Sequence, residues 1–512
     1  MGLERQIVRL APSGIVYDIP PDGLEPNIFT SGSNVVFRDG LPVRVGGQKA
    51  VYGTPLFSPE YLLNLRTSLV NYWIYPSKAN ISVCDGVSHD DISPTPALTS
   101  TQSLNEWTGG ILNGIAVFNN PHSNPVYWEG NPSVAAKYLP GWAAGTKAKV
   151  LRPFKYHLFA MNITDSNGIF SDYVMWSDAA DPGSVPQSWT PLPSNQAGFL
   201  ALAAGGGNIV DAFQMRDVLY VFKDTSTWAI QYVGGNTVFA ARKVLETSGL
   251  LAPNCAVEIK GSLVVLTDSD VIVFDGQQAV SIIDKKMRKF LFSQLDPVNY
   301  KSAFVCKNWV ESEVWLCIPT VGNANPNLAL VWSRDENAWG IRTIDYRFAA
   351  AGLVAPSTGI QEWDTYTGSW DSASSIWDSA TYRVTSESIL AAQGLTLQGV
   401  DGDITDNGAP VVAYLQKLGL SLGDVQQRKL IKRLWVRING ITGTVVTIRA
   451  GAHDEPNGQV SWAAPVNFTI GVDEKIDTFA EGRYMAFEIS SESLQPWTLT
   501  GFDVEFSKSG AF

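Results

Sequence analysis

The amino-acid sequence predicts a mainly β protein, a six- or seven-bladed β-propeller with an N-terminal extended arm and a C-terminal antiparallel β-sandwich. Three observations lead there. Short runs of β-branched and aromatic residues recur in pairs, with most successive pairs about 45 residues apart, the step of a four-stranded propeller blade. Turn-forming Gly, Asp and Asn separate the runs. From about residue 409 the pattern changes to alternation of apolar with polar residues.

An arm occupies residues 1–30. Its Pro-rich GIVYDIPPDGLEPN has little periodicity and reads as chain crossing a surface. NVVFRDGLPVRV (34–45) follows, with Asp39-Gly40 between two strand-like halves; Asp-Gly supplies the positive φ of a tight hairpin. Standing ahead of the first blade, this segment is expected to close the ring with the last blade and so remove open edges.

The propeller is assigned to residues 31–408. Its paired runs are NYWIYP (71–76) with ISVCDG (81–86), GIAVF (114–118) with VYWEG (126–130), and KYHLFAM (155–161) with YVMWSD (173–178). DVLYVF (217–222) comes next, then SLVVL (262–266) with VIVFDG (271–276), and EVWLCI (313–318) with LVWSRDENAWG (330–340). LTLQGV (395–400) is a weaker seventh. One hairpin cannot bury two faces alone, whereas a ring of them can. Tryptophans such as Trp73, Trp128, Trp176, Trp228, Trp315 and Trp332 are candidates to fill the gaps between blades.

Two inserted loops stretch the spacing. Residues 181–208, rich in Pro, Ser and Gly, are expected to protrude. Residues 357–385 carry Trp363-Asp364, Trp370-Asp371 and Trp377-Asp378 in a W-D-[ST] triplet of period seven. With Gly, Ser, Thr and Ala between them, the triplets read as successive turns, each Asp accepting backbone N–H bonds and each Trp anchoring its turn.

Residues 409–512 form the sandwich. Leu434, Val436 and Ile438 alternate with charged neighbours, as do Met485, Phe487 and Ile489, and Phe502, Val504 and Phe506. No long amphipathic helix is visible.

Composition narrows the function. The chain has 512 residues, 45% hydrophobic, with a net charge of −12. No apolar stretch approaches the roughly 20 residues of a membrane span, so no membrane anchor is expected. The N-terminus MGLERQIVRL lacks an apolar signal core, and Gln6 stands where myristoylation needs Ser or Thr, which points to assembly in a cytoplasm. Cys84, Cys255, Cys306 and Cys317 have no metal-type spacing and read as buried small hydrophobes. Four histidines stand without a second ligand at metal spacing, so neither metal nor cofactor is expected.

One dense positive run stands out, QQRKLIKRLWVR (426–437). Arg428, Lys429, Lys432, Arg433 and Arg437 are candidates to meet an acidic neighbouring subunit or DNA phosphate, or to form a solvated strand face. Acidic pairs at Asp90-Asp91, Asp268 and Asp270, and Asp335-Glu336 have the composition of a glycosidase pair but sit where turns use Asp for backbone bonding. DGDITDNG (401–408) has calcium-like oxygen spacing without the closing Glu of an EF-hand loop. SRDENAWG (333–340) distantly resembles the Asp-box turn of sialidase propellers, with Asn337 in place of Gly. No G-x-S-x-G, phosphate-binding loop or His-paired nucleophile occurs.

The arm, the signature SNVVFRDG, the propeller-like middle, the W-D-[ST] tandem and the ending GRYMAFEISSES…LTGFDVEFSKSG together resemble the nozzle proteins of short-tailed phages. These are the tubular tail, or packaged-DNA stabilisation, proteins between tail adaptor and tail tip. The likeness covers nearly the whole chain in layout. It implies a non-enzymatic virion tail protein that forms a six-fold ring around the DNA channel. The implied partners are copies of itself, the tail adaptor, tail tip, needle or tail fibre proteins, and double-stranded DNA passing without sequence-specific binding. A different reading is a carbohydrate-binding or carbohydrate-cleaving propeller of the tail, motivated by the Trp and turn Asp content.

Overall fold

The computed structural model describes residues 3–511 except 12, 69, 236, 355–386 and 424. Strand accounts for 52% and helix for 3%. The W-D-[ST] residues Trp363, Asp364, Trp370, Asp371, Trp377 and Asp378 lie outside the described residues.

Seven four-stranded antiparallel meanders follow one another among the described residues. The first comprises Leu63–Arg66, Asn71–Pro76, Ile81–Cys84 and His89–Asp91. The second comprises Thr108–Leu112, Ile115–Asn119, Val126–Trp128 and Lys137–Tyr138. Lys147–Phe154, His157–Asp165, Gly168–Trp176 and Gly198–Ala201 form the third, and Ile209–Met215, Val218–Lys223, Thr227–Tyr232 and Phe239–Leu245 the fourth. The fifth is Ala256–Ile259, Ser262–Leu266, Val271–Phe274 and Ala279–Ser281. The sixth is Phe304–Asn308, Glu313–Ile318, Leu328–Ser333 and Ala338–Thr343. The seventh takes Phe348–Leu353, Glu387–Gln393 and Thr396–Asp403 from its own stretch and Gly47–Val51 from near the N-terminus.

The strongest runs of the sequence are the second strands of the first six meanders, continuously apolar because both faces of those strands are covered. The first strands pack on one another in order from the second meander to the seventh, and the seventh packs on the first. Aromatic side chains fill the seams between meanders. Trp73 of the first donates its indole N–H to the Leu353 carbonyl of the seventh at 2.7 Å. Tyr72 meets Trp128 of the second edge-on at 5.3 Å, and Tyr220 of the fourth meets Phe274 of the fifth at 5.0 Å.

Hairpin turns add a second set of ties. Lys155, Arg216 and Lys260 each occupy a left-handed turn position (φ 54°, 55° and 46°) between the first two strands of the third, fourth and fifth meanders. Each reaches the next meander along: Lys155 to Asp217 at 3.4 Å, Arg216 to the Gly261 carbonyl at 3.1 Å, Lys260 to Asp335 at 2.8 Å.

Three expectations need correction. The hairpin Val35–Arg38/Leu41–Arg44 does not join the last meander; it extends the sixth through Val35 opposite Ile341 and reaches Trp497–Ala511 through Val43 opposite Thr498. The strand that joins the seventh meander is the next one, Gly47–Val51. Its first residue must be Gly, because a Cβ there would overlap the Thr405 carbonyl. LTLQGV, expected to open a seventh pair of runs, is the third strand of its meander; the two strands before it, FAAAGL and ESILAAQ, carry few β-branched residues and gave no such signal. Residues 181–208 do not protrude freely. Val185 and Trp189 are buried, Trp189 lies edge-on to Trp142 at 4.8 Å, and Gly198–Ala201 is the fourth strand of the third meander.

Two further sheets gather the chain ends. One runs Glu4–Arg9, Trp497–Ala511, Gln427–Gly440, Lys475–Gly482, all antiparallel. The other contains Ser461–Trp462, Val445–His453, Tyr484–Ser491, Ala413–Leu420 and Ser31–Ser33, with Val466–Thr469 beside Val445–His453. Leu434, Val436 and Val504 on the first share a core with Leu415, Ile448 and Ile489 on the second, and Phe487 stacks on Phe502 at 4.7 Å. The N-terminal segment thus enters both sheets: Glu4–Arg9 is a strand, where the sequence suggested only an irregular arm. The same apolar core continues through Val8, Leu10, Ile15 and Phe29 into the fifth and sixth meanders.

Candidate functional site

A buried polar cluster links the first strands of several meanders. Arg152, on the first strand of the third meander, donates from Nε and Nη2 to the Asp211 carboxylate of the fourth at 2.8 and 2.6 Å. Its Nη1 reaches the Gly109 carbonyl of the second at 2.9 Å, and Nη2 also reaches Asn254 Oδ1, just before the fifth, at 2.7 Å. The Asn254 side-chain amide donates onward to Asn105 Oδ1 at 2.8 Å, and Asn105 donates to the Pro253 and Ala303 carbonyls. Arg152, Asp211, Asn254 and Asn105 are all buried. Burial opposes the Arg152 charge, but the Asp211 carboxylate outweighs it and holds the guanidinium above its ordinary pKa. A buried ion pair of this kind costs desolvation unless its protons are used, and here four oxygens of three groups take up guanidinium N–H bonds. Sequence reading missed this hub because its members stand far apart along the chain; the only signal was a lone Arg in KAKVLRPF and a lone Asp in IVDAFQM.

At one end of these strands lies a cavity of about 370 Å³, lined by Glu106, His122, Lys149, Asn162 and Asp224 among others. His122 Nε2 and Glu106 Oε2 are 3.1 Å apart.

The basic run lies on the strand Gln427–Gly440, and its charges are mostly matched within the sheet. Arg433 pairs with Asp477 at 3.0 Å and Glu505 at 3.1 Å; these two raise its pKa. Arg437 and Arg5 grip opposite oxygens of Asp503 at 2.7 and 2.6 Å. Arg428 lies 3.4 Å from Asp454 and 3.7 Å from Glu481. Lys429 is buried and donates to the Arg483 carbonyl at 3.1 Å. Lys432 sits at a register shift between Ile431 and Arg433 and makes no ion pair among the described residues. The run is therefore a mixed-charge sheet face, not a positive patch.

Asp39 and Gly40 have φ of 52° and 72° at the tip of their hairpin. Asn337, with φ 49°, takes the left-handed turn position that Gly would otherwise fill. The candidate calcium segment spends its carboxylates locally. Asp401 bonds Arg342 at 2.6 Å and Arg38 at 3.3 Å, which together hold its carboxyl below the usual range against the effect of burial. Asp403 accepts from the Ile404 and Thr405 N–H groups. Asp335 is taken by Lys260, and Asp270 by Arg288 and Ser281. Among the described residues no group of three or more His, Cys, Asp or Glu is placed to hold a metal, and no helix is long and apolar enough to cross a membrane. All four cysteines are buried and unbridged.

No protein-family model matches the chain, and no curated protein matches its sequence.

A groove of about 1150 Å³ crosses the outer face of the six-stranded sheet, lined by Tyr414, Thr447, Arg449, Glu488 and Ser490. Arg449 forms a two-bond pair with Glu488 at 2.7 and 2.9 Å and lies 4.4 Å from the Trp462 ring centre.

Proposed function

We propose that the chain is a structural subunit of a short-tailed phage nozzle, a virion tail protein that assembles side by side around the DNA channel, helps retain packaged DNA and passes it during ejection. In this reading the seven meanders are the blades of a seven-bladed propeller, closed by Gly47–Val51 on the seventh blade, and the two terminal sheets form a β-sandwich. The protein works by shape, without making or breaking covalent bonds.

The observation that supports this reading is the buried polar hub. Arg152, Asp211, Asn254 and Asn105 link the second to sixth meanders by hydrogen bonds, which suits a stiff body. In this reading a duplex passes between copies, and each copy is a wall element. Stiffness follows because every blade packs on two others. The net charge of −12 suits such a wall, since DNA beside like charge gains nothing from counterion release.

Imaging of assembled tails, with native mass measurement of the purified chain and its adaptor, tests the proposal. A ring at the tail supports it; a chain that stays monomeric with its adaptor and is missing from tails overturns it.

The groove over the six-stranded sheet favours a second reading, a carbohydrate-binding tail component. Arg449 against Trp462, with Tyr414, Glu488 and several hydroxyls, has the mixed aromatic and polar character that sugar rings use. A glycan array on host polysaccharides distinguishes the two, and silence there removes it.

A further inference from the structure

The terminal strands belong to a sheet that also continues through Leu41–Arg44 into the sixth meander, and two of them are unpaired on their outer side among the described residues. Glu4–Arg9 is hydrogen-bonded only to Trp497–Ala511, and Lys475–Gly482 only to Gln427–Gly440, among the described residues. Natural proteins seldom leave long flat edges free, because unpaired N–H and C=O groups recruit further strands. Both edges also present an apolar side chain to solvent at mid-strand: Ile7 is 63% exposed and Phe479 is 68% exposed. Both point to the same face, since Val8 turns into the core on one strand and Ile476 and Ala480 do so on the other.

We infer that the Glu4–Arg9 edge of one copy pairs with the Lys475–Gly482 edge of the next, extending the sheet from copy to copy. Direction agrees. Strands alternate across the sheet, so Lys475–Gly482 runs opposite to Glu4–Arg9, and a neighbour placed side by side in the same orientation pairs antiparallel. Register agrees as well. Setting Ile7 opposite Phe479 places Arg5, which also holds Asp503, opposite Glu481, which also accepts from Ser509, and places Arg9 opposite Asp477, which also pairs with Arg433. Arg9 is exposed and makes no ion pair within its own chain among the described residues. A shift of two residues either way sets Ile7 opposite a carboxylate and loses the matched charges.

The offset also carries a geometric consequence. Within one copy, paired residues run Ile7, Asp503, Trp435, Lys475 across the four strands. In this register Lys475 would stand opposite position 11 of the next copy, a climb of about one residue per strand. Closed barrels have that stagger, with strand tilts of about 35–45°. The contact is heterologous, the kind that closes into a ring.

The double variant Ile7→Cys/Phe479→Cys in the full chain tests this. Within one chain the two positions are three strand spacings apart, about 14 Å, beyond disulfide reach. Mild oxidation should therefore give a ladder of covalent oligomers that neither single variant gives; the four native cysteines are buried and stay silent. Arg9→Glu should abolish association at micromolar concentration, and adding Asp477→Lys should restore it. An oligomer by native mass that gives no ladder overturns the edge contact while leaving the ring reading standing. A monomer overturns both. A ladder extending without limit supports the contact and overturns the closed ring.

Discussion

Arg152 and Asp211 share two parallel N–H···O contacts at 2.8 and 2.6 Å across adjoining first strands, at a point where five of the seven meanders converge. Removing either partner leaves a buried, unmatched charge, whereas the intact pair contributes little net Coulomb gain. Asp211→Ala is expected to lower stability by about 3–5 kcal/mol. The double variant Arg152→Met/Asp211→Leu should cost clearly less. Urea unfolding of the three chains checks this, and equal losses for single and double variants would contradict it.

Lys417 is fully buried, its ammonium held among the described residues by the Leu24 and Glu25 carbonyls at 3.3 and 2.8 Å. Burial pushes its pKa down to about 8. The unfolded chain then holds a proton that the folded chain has lost, so this group's contribution to stability rises as pH climbs from about 8 to about 10.5 and is flat below 8. Its full span is about 3 kcal/mol. Lys417→Met should flatten that part of the curve. Thermal midpoints of both chains across pH 7–11 give the comparison.

Arg44 is a buried cation with no carboxylate partner among the described residues, bonded to the carbonyls of Ile404 (2.8 Å), Ser493 (3.2 Å), Leu494 (3.3 Å) and Val411 (3.5 Å). It clamps two loops onto the 35–44 hairpin. Arg44→Met should speed amide exchange at residues 404–411 and 491–495 at least tenfold while leaving the second to fifth meanders unchanged. Exchange that quickens evenly throughout would argue for global destabilisation instead.

Gly47 begins the strand that completes the seventh meander, where a Cβ would overlap the Thr405 carbonyl. Gly47→Ala should lower the melting temperature by about 1–2 °C, the scale of about 1–2 kcal/mol in a chain of 512 residues. Gly402→Ala, where only the Gly399 carbonyl lies within reach, at 3.8 Å, should not.

On the mixed-charge face, exposure decides. Arg433→Ala should change stability little, and lose even that small effect in high salt. Asp503 is 2% exposed and serves both Arg5 and Arg437, so Asp503→Ala should cost more and respond less to salt. A salt titration of both variants separates them.

Strands such as SLVVL and EVWLCI were legible because β-branched and aromatic runs bounded by Gly, Asp and Asn have few other stable conformations. The seventh meander is hard to read where its strands are Ala- and Gly-rich, and where its fourth strand lies some 350 residues before the strand it pairs with. Asp39-Gly40 was readable as a turn, but which sheet its hairpin would join was not, since turn chemistry fixes local geometry alone. Lys429 and Lys432 look alike in the sequence. The register shift at Ile431 and Arg433 sends the first inward and leaves the second at the surface, and alternation cannot foresee a bulge. The Arg152 hub had no local signature at all.

The ties from Lys155 to Asp217, from Arg216 to Gly261 and from Lys260 to Asp335 all point the same way round. Being exposed, each contributes little to stability, but together they lean the hairpin tips of the third, fourth and fifth meanders toward the same neighbouring side.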